Sequence, residues 1–95
     1  MDDQIICKQN SLEDNRFKTI SDFKMCMRSN AEVEFEWNGI SYIINHYCGK
    51  TSICEAYRPE TEKFCNTSDE VLEYRVGPDR LRDVITQVTV IWRSI

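Results

Sequence analysis

Glu32-Val33-Glu34-Phe35-Glu36-Trp37-Asn38-Gly39-Ile40-Ser41-Tyr42-Ile43-Ile44 is the stretch that decides the fold. Val33, Phe35 and Trp37 alternate with Glu32, Glu34 and Glu36, the period of a strand with one wet face. Asn38-Gly39 is the strongest short hairpin signal, because both central residues of a type I′ turn need positive φ. Pairing through that turn sets Trp37 opposite Ile40, Phe35 opposite Tyr42 and Val33 opposite Ile44. All six side chains land on one face, so turn chemistry and hydrophobic pattern agree on one register.

Working outward, the same face continues along the second strand to His46 and Cys48. Gly49-Lys50-Thr51 reads as a three-residue turn, which would return the chain with Cys54 opposite His46. Arg58-Pro59-Glu60-Thr61 reads as a β-turn with proline at its second position, which would set Cys65 opposite Cys54. The result is a four-stranded antiparallel meander.

On the N-terminal side, residues 1–18 read as a mobile arm, with a short strand at Ile5-Ile6 and an aperiodic polar loop from Lys8 to Lys18. Thr19 caps a helix with Asp22 three residues on; Ile20, Phe23 and Met27 form its apolar stripe, and Asn30 stops it. On the C-terminal side, Thr67-Ser68-Asp69-Glu70 is a capping box that opens a helix through about Arg75. Gly77-Pro78 ends that helix and starts another, whose inner stripe is Leu81, Val84 and Ile85. Val88 to Trp92 is β-branched and alternating, a last strand. The predicted fold is α+β: an antiparallel sheet of about four strands plus a C-terminal strand, helices on one face, braced by zinc.

Ninety-five residues fit a single domain, 1–95. Sixteen acids against twelve bases give a net charge of -4, too balanced for a free-standing nucleic-acid binder, which shows a basic excess. The acidic start and its three-residue apolar run do not fit a signal peptide, and no run approaches the ~18 apolar residues of a membrane span. The expected location is the cytosol. Thiols stay reduced there, so the five cysteines read as metal ligands or buried thiols before disulfides.

The spacing His46-x-Cys48, five residues, Cys54, ten residues, Cys65 carries the candidate chemistry. In the register above all four meet on one face, and Cys₃His is a usual structural set for tetrahedral zinc. Four protein ligands leave no open position, so such an ion would brace the fold and not catalyse. The alternatives are a cluster of reduced core thiols with His46 in an ordinary hydrogen bond, and a Cys54–Cys65 disulfide, which the compartment disfavours. Cys26 reads as helix packing and Cys7 as the substitute ligand. His46 is the only histidine, and no glycine-rich phosphate loop or HExxH motif occurs, so the chain reads as non-enzymatic.

Glu32, Glu34 and Glu36 line the wet face of the first strand, joined in this reading by Glu55 and Glu62. That face is either solvated, edge-blunting charge or a negative stripe that docks on a basic protein surface. Arg75, Arg80, Arg82 and Arg93 make the C-terminal part locally basic.

From Thr19 to Trp92 the chain resembles small proteins of phages and mobile elements of low-GC Gram-positive bacteria. The likeness rests on the helix, the acidic first strand, the hairpin Trp37-Asn38-Gly39-Ile40 and the stretch Val76-Gly77-Pro78-Asp79-Arg80-Leu81-Arg82-Asp83-Val84-Ile85. Some such proteins are anti-CRISPR proteins that inhibit the RNA-guided nuclease of type II-A systems. The resemblance implies a phage inhibitor that binds that nuclease stoichiometrically, with no direct nucleic-acid contact and no membrane. The His46, Cys48, Cys54 and Cys65 set is not a general feature of those look-alikes. The alternative class is a zinc-stabilised nucleic-acid-binding phage regulator using the arginine-rich C-terminal helix.

Overall fold

The computed structural model describes residues 12–94. In chain order its elements are α1 (Leu12–Asn15), α2 (Ile20–Arg28), β1 (Val33–Trp37), β2 (Ile40–Tyr47), β3 (Lys50–Glu55) and β4 (Arg58–Cys65). There follow α3 (Ser68–Leu72), β5 (Arg75–Val76), β6 (Asp79–Arg80), α4 (Leu81–Val84) and β7 (Thr89–Arg93). The expected strand at Ile5-Ile6 and the thiol of Cys7 lie outside the described residues.

The first hairpin forms in the register its pattern demands: Trp37 pairs Ile40, Phe35 pairs Tyr42 and Val33 pairs Ile44. Asn38 and Gly39 both take positive φ, +53° and +80°. Phe35 and Tyr42 stack across the strands, ring centroids 5.1 Å apart and planes 17° from parallel, a cross-strand contact that adds to burial. Around this hairpin the sheet is antiparallel and five-stranded, in the order β4-β3-β2-β1-β7.

One face of the sheet carries the core. Val33, Phe35, Tyr42, Ile44, Ile53 and Val90 are buried there against Phe23, Cys26 and Met27 of α2, Val71 and Leu72 of α3, and Leu81 and Val84 of α4. Local caps start the helices as their sequences require. Thr19 Oγ1 accepts from the Asp22 backbone N–H at 3.0 Å and Thr67 Oγ1 from the Glu70 N–H at 3.2 Å, each worth about 1 kcal/mol. Asn30 takes the left-handed φ of +57° that ends α2.

The two later hairpins depart from the sequence reading. The β2–β3 turn is Cys48-Gly49, with φ +49° and +83°, instead of Gly49-Lys50-Thr51. Its geometry repeats that of Asn38-Gly39, with a cysteine where asparagine is usual. His46 therefore faces Thr51, and Cys54 faces Ile43. The β3–β4 turn is Ala56-Tyr57, and Pro59 lies inside β4. Proline is tolerated there because β4 is an edge strand, where a missing N–H donor breaks no interior ladder. Cys65 consequently pairs with Thr51 and not with Cys54.

Three further elements differ. Leu12–Asn15 is helical, and Phe17 beside it is fully buried, meeting Phe23 edge-on at 5.2 Å with the Arg93 guanidinium 4.7 Å from its ring centre. The later part of the expected arm is thus anchored by an aromatic residue and a cation–π contact. α3 ends at Leu72 instead of near Arg75. Gly77-Pro78 is the turn of a small hairpin, β5 with β6, in which Gly77 takes φ +72°. Glycine first and proline second suits a II′-type turn as well as it suits a break between helices, so the dipeptide alone does not choose. Trp37 Nε1 donates to Asp79 Oδ2 at 3.1 Å and ties this hairpin to the end of β1.

Candidate functional site

The outer face of the sheet, opposite the helices, is built by the same alternation that makes the core. Every residue between two inward ones on β1 and β2 points outward, so Glu34, Glu36, Ile43, Asn45 and Tyr47 share this face. Cross-strand pairing aligns Trp92, Glu34, Ile43 and Cys54 in one row over four strands. A neighbouring row runs Asn45, Ser52, Phe64. Trp92, Phe64 and Tyr47 keep 49%, 54% and 52% of their surface exposed. Ser52 is fully buried on this face, and its hydroxyl donates to the Glu62 carboxylate.

Of the proposed partner-binding residues, Glu34 and Glu36 stand on this outer face, and Glu32 precedes β1 with its backbone N–H bonded to Ser94 Oγ at 2.9 Å. Glu62 joins them. Glu55 does not: it pairs with Tyr42 and so belongs to the inner side, where its charge, after burial, helps push the Tyr42 phenol up from its ordinary range. The exposed aromatics Trp92, Phe64 and Tyr47 were not singled out from sequence. Parity holds the missing signal for two of them, since Tyr47 falls on the wet face of the strand that buries Ile44, and Phe64 precedes an inward Cys65.

The four proposed zinc ligands do not converge. His46 is on the inner side, Cys48 is exposed in a turn, Cys54 is on the outer face and Cys65 is buried on the inner side. Two turns placed differently from the expected ones shift the register by odd numbers, which sends Cys54 through the sheet. Both ring nitrogens of His46 already have partners. Nε2 lies 2.8 Å from the Ala31 carbonyl, to which it donates, and Nδ1 lies 3.2 Å from Thr51 Oγ1, from which it accepts. Burial pushes the Cys54 and Cys65 thiols up, so without a metal both are neutral thiols. Among the described residues no group of three or more His, Cys, Asp or Glu could hold a metal ion. The residues present therefore do not fit the zinc set.

The C-terminal arginines are engaged with protein groups. Arg80 pairs with Glu73 and Asp83, Arg82 with Glu73 at 2.7 Å, and Arg93 with Asp22 at 3.8 Å. Arg75 donates to the Pro78 carbonyl. Arg80, Arg82 and Arg93, matched by carboxylates, offer less to a phosphate backbone, whereas Arg75 keeps its charge because a carbonyl is neutral. Among the described residues no helix is long and apolar enough to cross a membrane.

No protein-family model, no curated protein and no solved structure matches this chain. The fold defines a small α+β protein with a five-stranded antiparallel sheet, helices on one face and an open face opposite.

Proposed function

We propose that this protein acts by stoichiometric binding, laying the outer face of its sheet on a basic surface of another protein. One observation carries the reading: Trp92, Phe64 and Tyr47 are half exposed on that face, beside Glu34, Glu36 and Glu62. Rigid aromatics next to carboxylates match the usual make-up of a docking patch, with apolar anchors for affinity and charge for steering. The ion-paired arginines favour a protein partner over the nucleic-acid regulator.

The resemblance supplies the partner: the RNA-guided nuclease of a type II CRISPR system, in a bacterial cytosol, with this chain as a phage inhibitor. Such nucleases hold their guide–target duplex in a positively charged channel. An acidic sheet face seated in that channel would exclude DNA sterically and electrostatically, with Glu32, Glu34 and Glu36 as the contacts. Calorimetric titration of the purified nuclease–guide complex, with a DNA-cleavage assay alongside, tests the proposal. The expected result is one-to-one binding that weakens with salt, loss of cleavage, and relief of inhibition by Glu34→Lys with Glu36→Lys. Cleavage that continues at saturating protein removes this partner. Salt-steep binding of DNA by the protein alone supports the regulator instead.

A further inference from the structure

A second surface feature shares no residue with the outer-face patch. The end of α2, the Cys48-Gly49 turn and the segment leading into α3 enclose a cleft of about 250 Å³. Lys24, Arg28, Asn66, Thr67 and Ser68 are among its lining residues, and none of the lining residues is an acid. Two carboxylates bond to lining residues from outside the lining: Asp69 pairs with Lys24, and Glu70 Oε1 accepts from the Asn66 backbone N–H at 2.7 Å.

The hydrogen bonds already made leave the cleft rich in donors. Asn66 Oδ1 accepts from Lys50 Nζ at 3.0 Å, so the remaining function of that amide is its NH₂ group. Thr67 Oγ1 accepts the α3 cap bond and keeps its O–H to give. Lys24 Nζ spends one donor on Asp69 at 2.9 Å and retains two. Arg28, one turn further along α2, is exposed and makes no ion pair among the described residues. Its guanidinium is a fork suited to two oxygens of one oxyanion.

We propose that this cleft binds a phosphate group, carried by a monoester or as the free anion. Arg28 supplies the positive charge, Lys24, whose charge is shared with Asp69, adds N–H donors, and the amide and hydroxyl donors suit the remaining oxygens. A longer nucleic acid fits less well, because no aromatic side chain lines the cleft to stack a base.

Amide chemical-shift mapping of the full chain with inorganic phosphate, at constant ionic strength and against a chloride control, tests this. The expected result is a saturable shift confined to residues near 28–30, 49–51 and 66–68. Arg28→Gln is expected to weaken phosphate binding about tenfold, and Lys24→Gln to weaken it less, since that lysine already pairs with Asp69. Lys63→Gln, on β4 and outside the lining, is expected to change nothing. A parallel titration with phosphoserine names the source: tighter binding than inorganic phosphate points to a phosphorylated side chain, and equal binding to free phosphate. No saturation, an equal response to chloride, or full binding by Arg28→Gln overturns the proposal.

Discussion

The hairpins β1–β2 and β3–β4 are both closed by two residues, yet they are held by opposite means. Asn38-Gly39 adopts positive φ at both positions with residues that tolerate it, and cross-strand apolar pairs do the rest. In Ala56-Tyr57 only Tyr57 takes positive φ, at +63°, and its side chain is 99% exposed. A bulky residue there costs about 1–2 kcal/mol. Neighbouring groups hold this turn: Thr61 Oγ1 donates to the Arg58 carbonyl at 2.7 Å and accepts from the Glu55 N–H at 2.8 Å. Arg58 pairs with both Glu55 and Glu60, Tyr74 donates its hydroxyl to the Thr61 carbonyl, and the register shifts between Ile53 and Glu55. A hairpin with a favourable turn needs only its strands; one without it needs a clamp and a bulge.

The contrast has measurable consequences, the largest of them kinetic. Cys48 sits exposed in the second turn while Cys65 is 1% exposed at the end of β4. Cys48 is expected to react with a thiol reagent at least about a thousandfold faster, because Cys65 must wait for a large opening. A mass-spectrometric time course reads both. Joint protection of Cys48, Cys54 and Cys65 that chelator abolishes would break the later register and restore the zinc cluster.

In urea unfolding, Phe35→Ala in the first hairpin is expected to cost about 3–5 kcal/mol, since the ring is fully buried on Tyr42. Phe64→Ala on the open face of β4 should stay below about 1 kcal/mol. Equal losses would mean that something covers the outer face. Thr61→Val keeps the shape of the clamp and removes its bonds, for an expected loss of about 1–2 kcal/mol. The two turns should then respond with opposite signs. Gly39→Ala forces a Cβ into φ +80° and should lose about 1 kcal/mol, whereas Tyr57→Asn should gain up to about 1 kcal/mol. A destabilised Tyr57→Asn would show that the tyrosine makes a favourable contact the exposed position conceals.

The smallest effect concerns acid. The backbone N–H of Glu60, then the Arg58 guanidinium, hold the Glu60 carboxyl below its ordinary value of 4.5. A carboxyl with a lowered folded pKa adds stability that is present above the ordinary value and is lost as pH falls through the folded one. The β3–β4 tip should therefore loosen below pH 4.5 before the Asn38-Gly39 hairpin does, as amide exchange near Glu60 would record.

Val33, Phe35 and Trp37, with Asn38-Gly39, determined the first hairpin and its register by themselves, because turn and pattern are local and agree. The Thr19 and Thr67 caps, the Leu81-Val84-Ile85 stripe and the closing strand were legible for the same reason. Tertiary structure alone decided the rest. Cys48 at positive φ and Tyr57 in a turn are poor local choices, accepted because Ile53 must face Ile44 in the core, and the four proposed metal ligands were scattered as a result. Phe17 packs on Phe23, across the break between α1 and α2, and on Arg93, far along the chain, and no periodicity announces either contact. The outer face shows the same division. Its glutamates could be read from alternation, but the row of Trp92, Glu34, Ile43 and Cys54 exists only once β7 pairs with β1, a contact between segments more than fifty residues apart.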